Sequence, residues 1–86
     1  MRLKKEFITH DSDGEQILVS SDTTAFSGMV RSNQTAAFIV NQLKEETTLG
    51  KIVDAMAKEY DAPRGVMEQD AAKVIEMLKS IGAIEE

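Results

Sequence analysis

Few side chains in this sequence are placed to do covalent chemistry. His10 is the single histidine, and no partner stands at a spacing that would complete a metal site or a catalytic pair with it. It reads as a surface or edge residue. The run Asp11-Ser12-Asp13-Gly14-Glu15 opens like a calcium loop. Such a loop needs further oxygen ligands and a closing Glu, whereas a β-favouring run follows here. Asp-Gly is instead the pair that favours a tight hairpin turn. Asp70 is a lone carboxylate among apolar neighbours, with Arg64 and Lys73 in reach as salt-bridge partners. That setting suits capping or ion pairing better than acid–base work. The sequence has no Gly-rich phosphate loop, no Ser nucleophile elbow and no HExxH. We therefore expect no catalytic residue, no metal ligand and no cofactor, and read the chain as a binding protein rather than an enzyme.

Composition narrows the binding classes. The chain has 86 residues and a net charge of −5, which disfavours the Lys- and Arg-driven neutralisation that non-specific phosphate binding needs. Its length allows one domain, residues 1–86, with one modest core. It has no cysteine, compatible with a reducing cytoplasm. Met1 to Glu6 is basic but no apolar stretch follows, so no signal peptide is read, and no run reaches membrane-spanning length. A cytoplasmic protein that neither spans nor binds a membrane is expected.

The elements that position these residues can be read in order. Phe7–His10 and Gln16–Val19 are β-favouring runs joined by the Asp-Gly turn. Ser20–Thr24 reads as a connection. After Gly28, Met29–Arg31 forms a third short strand. Asn33 has the side chain of an N-cap, and Ala36, Ile39, Val40 and Leu43 then mark one face of a helix ending near Leu43 or Lys44. Thr48 caps a second helix with a stripe of Leu49, Ile52, Val53, Met56 and Tyr60. Asp61-Ala62-Pro63 stops it, and Pro63 suits the start of the next. The third helix carries Met67, Ala71, Val74, Ile75, Leu78 and Ile81 and ends at Gly82, its C′ residue, with Ala83-Ile84 adding a last apolar contact. The order is β-β-β-α-α-α. This is an α+β fold in which a three-stranded N-terminal antiparallel sheet shares a core with three helices, resembling a winged helix-turn-helix. Should the third strand lie at a sheet edge, its free backbone groups form a docking line for another extended chain.

Phe26-Ser27-Gly28-Met29-Val30-Arg31-Ser32-Asn33-Gln34-Thr35-Ala36-Ala37 places a Gly and a few apolar positions before an Asn-Gln-Thr-Ala helix start. It looks like the strand-to-helix junction of PqqD-like proteins, which reads Leu-Asn-Glu-Thr-Ala or Leu-Asn-Glu-Thr-Gly at that point, and the resemblance covers nearly the whole chain. Tyr60-Asp61-Ala62-Pro63 is similar to that family's middle, and Asp70, the stripe to Leu78 and Gly82-Ala83-Ile84 to its ending. Ser32, Gln34 and Val40 depart from the Leu, Glu and bulky aromatic of the pattern. The resemblance implies a compact winged-helix RiPP recognition element. Such a module is a chaperone in natural-product biosynthesis. It binds the leader of a ribosomally made precursor peptide and presents it to a modifying enzyme, often a radical SAM protein, as in pyrroloquinoline quinone pathways. Family members use the cleft between the third strand and the third helix.

On that arrangement the expected peptide-binding residues are Met29, Val30 and Arg31 on the strand, with Val66, Asp70, Lys73, Val74 and Met77 on the helix. Arg31 and Lys73 would meet leader carboxylates and Asp70 a leader base. Met29 and Met77 would add an adaptable surface. An open edge also invites a homodimer by self-pairing or domain swapping. The alternative is a small DNA-binding winged helix, but Arg64, Lys73 and Lys79 on the third helix are offset by Glu68, Asp70 and Glu76. A purely structural subunit domain is the third reading.

Overall fold

The computed structural model describes residues 1–21 and 28–86; Phe26, Ser27 and the 22–24 part of the expected connection lie outside the described residues. The elements run β1 (Arg2–Leu3), β2 (Phe7–Ser12), β3 (Glu15–Ser20), β4 (Met29–Ser32), α1 (Gln34–Gln42), α2 (Leu49–Glu59), α3 (Arg64–Ser80) and β5 (Ile84–Glu85). The expected three strands and three helices are β2–β4 and α1–α3.

The wing is a three-stranded antiparallel sheet in the order β2-β3-β4. Its first turn is the two-residue Asp13-Gly14 loop, because Ser12 pairs with Glu15. Asp13 and Gly14 have φ of 51° and 80°, the two left-handed residues that a type I′ turn requires. The register places Leu18 between Thr9 and Val30, with Gln16 opposite Ser32. Alternation then sends Phe7, Gln16, Leu18, Val30 and Ser32 to one face and Ile8, Val19, Met29 and Arg31 to the other. Phe7 and Leu18 on the first face are buried in the core, whereas Ile8 and Met29 on the second are exposed.

The helices close over that inner face. Asn33 caps α1 by accepting a hydrogen bond from the Ala36 N–H at 2.8 Å, and Thr48 Oγ1 caps α2 by accepting from the Lys51 N–H at 3.2 Å. Ile39, Val40, Leu43, Ile52, Val53 and Met56 pack with Met67, Ala71, Ile75 and Leu78 in one core. Five residues of the sequence stripes sit differently: Leu49 is exposed at the start of α2, and Ala36, Tyr60, Val74 and Ile81 are only half-buried. Leu49 lies in the first turn, where the helix has not yet reached the core. α3 ends in a complete Schellman arrangement. Gly82 (φ 72°) donates to the Lys79 carbonyl at 3.0 Å and Ala83 to the Leu78 carbonyl at 2.9 Å, satisfying two otherwise orphaned acceptors.

One pairing is absent from the sequence reading. The two ends of the chain form a second, two-stranded sheet, with Arg2 opposite Glu85 and Leu3 opposite Ile84. The Leu3 N–H donates to the Leu43 carbonyl and the Thr47 N–H to the Met1 carbonyl. This ladder ties the ends of the chain to the α1–α2 connection. Ala83-Ile84 thus contributes backbone pairing as well as the apolar contact expected of it.

Candidate functional site

β4 pairs with β3 on one side, and among the described residues no strand pairs with its other side. Its outer N–H and C=O groups thus meet no strand partner among the described residues, the geometry a strand-adding guest needs. β2 is the other sheet edge. The two differ in their surroundings, because α1 packs against β3 and β4. A guest on β4 would meet a helical wall as well as a backbone.

That wall holds a hollow of about 220 Å³ lined by Asn33, Thr35 and Ala36 of the β4–α1 junction and by Asp70, Lys73 and Val74 of α3. The structure thus brings together three of the eight sequence-predicted residues. Val66 and Met77 lie on α3 outside it, Val66 exposed and Met77 packed against the core. On β4 the pleat separates the three candidates. Met29 and Arg31 are exposed on the outer face, while Val30 turns inward and packs against the core. A guest strand at this edge would therefore meet Val30 mainly through its backbone. In the sequence Asn33 reads as an N-cap, Ala36 as part of the apolar face of α1 and Thr35 only within the family pattern. Their position directly after the strand was the signal that they border the same groove.

The charges are arranged more specifically than the sequence suggested. Arg64 does not reach Asp70. It pairs with Asp54 at 2.7 Å and with Glu68, one turn along α3, at 3.4 Å, and both carboxylates hold its pKa above the usual arginine value, the Asp54 hydrogen bond contributing most. Lys79 pairs with Glu86 at 3.2 Å. Among the described residues neither Asp70 nor Lys73 has an ion-pair partner, so a cation and an anion stand unpaired on one side of the hollow. With Arg64 and Lys79 already neutralised, α3 presents no basic stripe of the kind a DNA-reading helix needs.

His10 is exposed on the outer face of β2, and the described residues contain no cluster of three or more His, Cys, Asp or Glu side chains able to hold a metal. Among the described residues no helix is long and apolar enough to cross a membrane.

Comparisons with known proteins agree with this fold. The fold matches the solved structure "TbiB1 in Complex with the TbiA(beta) Leader Peptide" with a TM-score of 0.83 over 99% of this chain and 95% of that one, at 22% identity. It also matches "Lasso peptide synthetase B1 complexed with the leader peptide" with a TM-score of 0.80 over 99% and 96%, at 25% identity. No curated protein matches the sequence. The family model described as coenzyme PQQ synthesis protein D (PqqD) matches residues 15–84, from the hairpin through the last helix to β5. The chain therefore belongs to the PqqD family.

Proposed function

We propose that residues 1–86 act as one leader-binding domain. It takes up the leader of a ribosomally made precursor peptide as an added strand on the outer edge of β4, beside α3, and presents it to a modifying enzyme. The observation that carries this is the unpaired β4 edge next to the Asn33–Asp70–Lys73 hollow, in a fold shared with two proteins solved with leader peptides bound. Backbone pairing holds the guest in register and tolerates many sequences, while the flanking side chains select among them. Met29 and Arg31 meet the guest from the sheet's outer face. Val66, Asp70, Lys73, Val74 and Met77 meet it from α3, and Val30 contributes its backbone. The role is that of a carrier without catalysis of its own, working in the cytoplasm where precursor peptides are made. The enzyme served is of the radical SAM or another peptide-modifying class. In the absence of a leader the same edge can pair with a second copy.

The test is amide chemical-shift mapping with a candidate precursor leader peptide. The expected perturbations fall on Met29–Ser32 and on the Asp70–Met77 face of α3. Perturbations confined to β2, or none at saturating leader, would refute the proposal.

A further inference from the structure

Asn33 borders a second, larger and open-sided cavity of about 410 Å³ between the wing, α1 and the end of α2. Gln16, Asn41, Asp11, Glu59, Phe38 and Tyr60 are among its walls. Gln16 is only 5% exposed. Its Nε2 donates to Asn41 Oδ1 at 3.0 Å, but its Oε1 is buried with no hydrogen-bond partner. A buried acceptor without a donor costs stability, and because Gln16 stands in the cavity wall, a turn of its carboxamide would bring that acceptor to an incoming donor. The charge points the same way. Asp11 and Glu59 carry carboxylates without an ion-pair partner among the described residues, and no Lys, Arg or His lines the cavity. Phe38 and Tyr60, an edge-to-face ring pair 5.6 Å between centroids, add aromatic surface to the wall, and an aromatic face attracts a cation.

We propose that this cavity is a second recognition site, and that its ligand is the guanidinium head of an arginine side chain on a polypeptide partner. A guanidinium offers donors only, arranged in a planar fork that matches carboxylates and stacks on aromatic rings. It would pair with Asp11 and Glu59, lie against Phe38 or Tyr60, and donate to Gln16 Oε1. That oxygen is covered in the free chain, and turning it toward a donor about the soft terminal torsion of the carboxamide exchanges the Asn41 hydrogen bond for the guanidinium. The partial positive charge at the start of α1 opposes a cation, but it is about half a charge against two full ones, and Asn33 already accepts from one of its N–H groups. The arginine can belong to the leader or to the modifying enzyme. The site itself does not depend on leader binding at β4, since it shares only Asn33 with the α3 hollow.

The full-length chain, labelled with nitrogen-15, is titrated with N-acetyl-arginine amide and with its uncharged mimic, N-acetyl-citrulline amide. The expected result is a saturable shift of the Gln16 and Asn41 side-chain amides, at least tenfold weaker for citrulline. The Asp11→Asn/Glu59→Gln double variant should lose affinity at least tenfold. Gln16→Met, which keeps shape but removes both the acceptor and the hydrogen bond to Asn41, should bind at least threefold more weakly whatever it does to the melting temperature; a folded variant with unchanged affinity would rule Gln16 out as a ligand. If that variant fails to fold, the carboxylate pair carries the test. Equal shifts with citrulline, or no saturation at these signals, would overturn the site. The double variant is then compared in leader binding and in binding to the modifying enzyme: the arm that weakens identifies the source of the arginine, and no change in either rejects a polypeptide ligand.

Discussion

Proline substitution along β4 tests the docking edge directly. The strand is four residues long, Met29–Ser32, with Val30 opposite Leu18 and Arg31 opposite Ile17. Successive residues of an antiparallel strand turn their N–H and C=O groups to opposite sides, so about two residues face β3 and about two face outward. A guest strand then gains about four backbone hydrogen bonds, worth about 1 kcal/mol each net. About 4 kcal/mol corresponds to a Kd of about 1 mM, so tighter binding must draw on Asp70, Lys73 and their neighbours. Val30→Pro and Arg31→Pro remove adjacent N–H groups, one on each side. The inward proline deletes a ladder bond and strands a β3 carbonyl, costing about 2–4 kcal/mol of fold stability. The outward one is tolerated, as prolines are on strand edges. It removes one donor and its ring crowds the guest carbonyl. Losing about two bonds, about 2 kcal/mol, weakens leader binding about 30-fold. Thermal melting identifies the outward position as the variant that keeps its Tm, and calorimetry with the leader then reads its affinity. Val30→Ala and Arg31→Ala control for the side chains. An outward proline that binds leader within about twofold of the parent refutes strand addition at β4.

Three further outcomes follow from the same structure. Leu18→Ala, at a fully buried position on the central strand, should cost about 2–5 kcal/mol in urea unfolding, a large share of the stability of so small a domain; a loss under about 1 kcal/mol would show that the sheet is not part of the core. Gly82→Ala forces a Cβ into a left-handed conformation (φ 72°) and should destabilise by about 1 kcal/mol, lowering Tm by about 4–8 °C; an unchanged Tm contradicts the cap described for α3. For an acidic leader, Lys73→Glu should weaken binding several-fold at low salt, with the difference fading near 1 M salt as screening shortens to about 3 Å. A salt-independent loss would mean that Lys73 acts through packing rather than charge.

The features legible in the sequence are those whose physical cause spans a few residues. Asp13-Gly14 supplies both left-handed positions of the hairpin, Asn33 and Thr48 reach N–H groups three residues on, and Gly82 closes α3 through bonds to Lys79 and Leu78. The apolar stripes placed Ile39, Ile52, Ile75 and Leu78 in the core for the same reason: one face of a helix repeats within a single turn. Asp70, Lys73 and Val74 were within reach of this reasoning because they share that periodicity on α3.

What only the tertiary structure decided are contacts between groups far apart in the chain. The Arg2–Glu85 and Leu3–Ile84 ladder uses strands of two residues, too short to show an alternation. The choice of Asp54 over Asp70 as Arg64's partner depends on how α2 lies against α3. The inward turn of Val30 depends on its register with Leu18, since a slip of one residue would reverse the face. Gln16 beside Asn41, with one amide end left unpaired, exists only once the wing has folded over α1. Local pattern records what a residue prefers; which edge stays open, and which buried polar atom is left waiting, is settled by the packing of elements whose sequences do not mention one another.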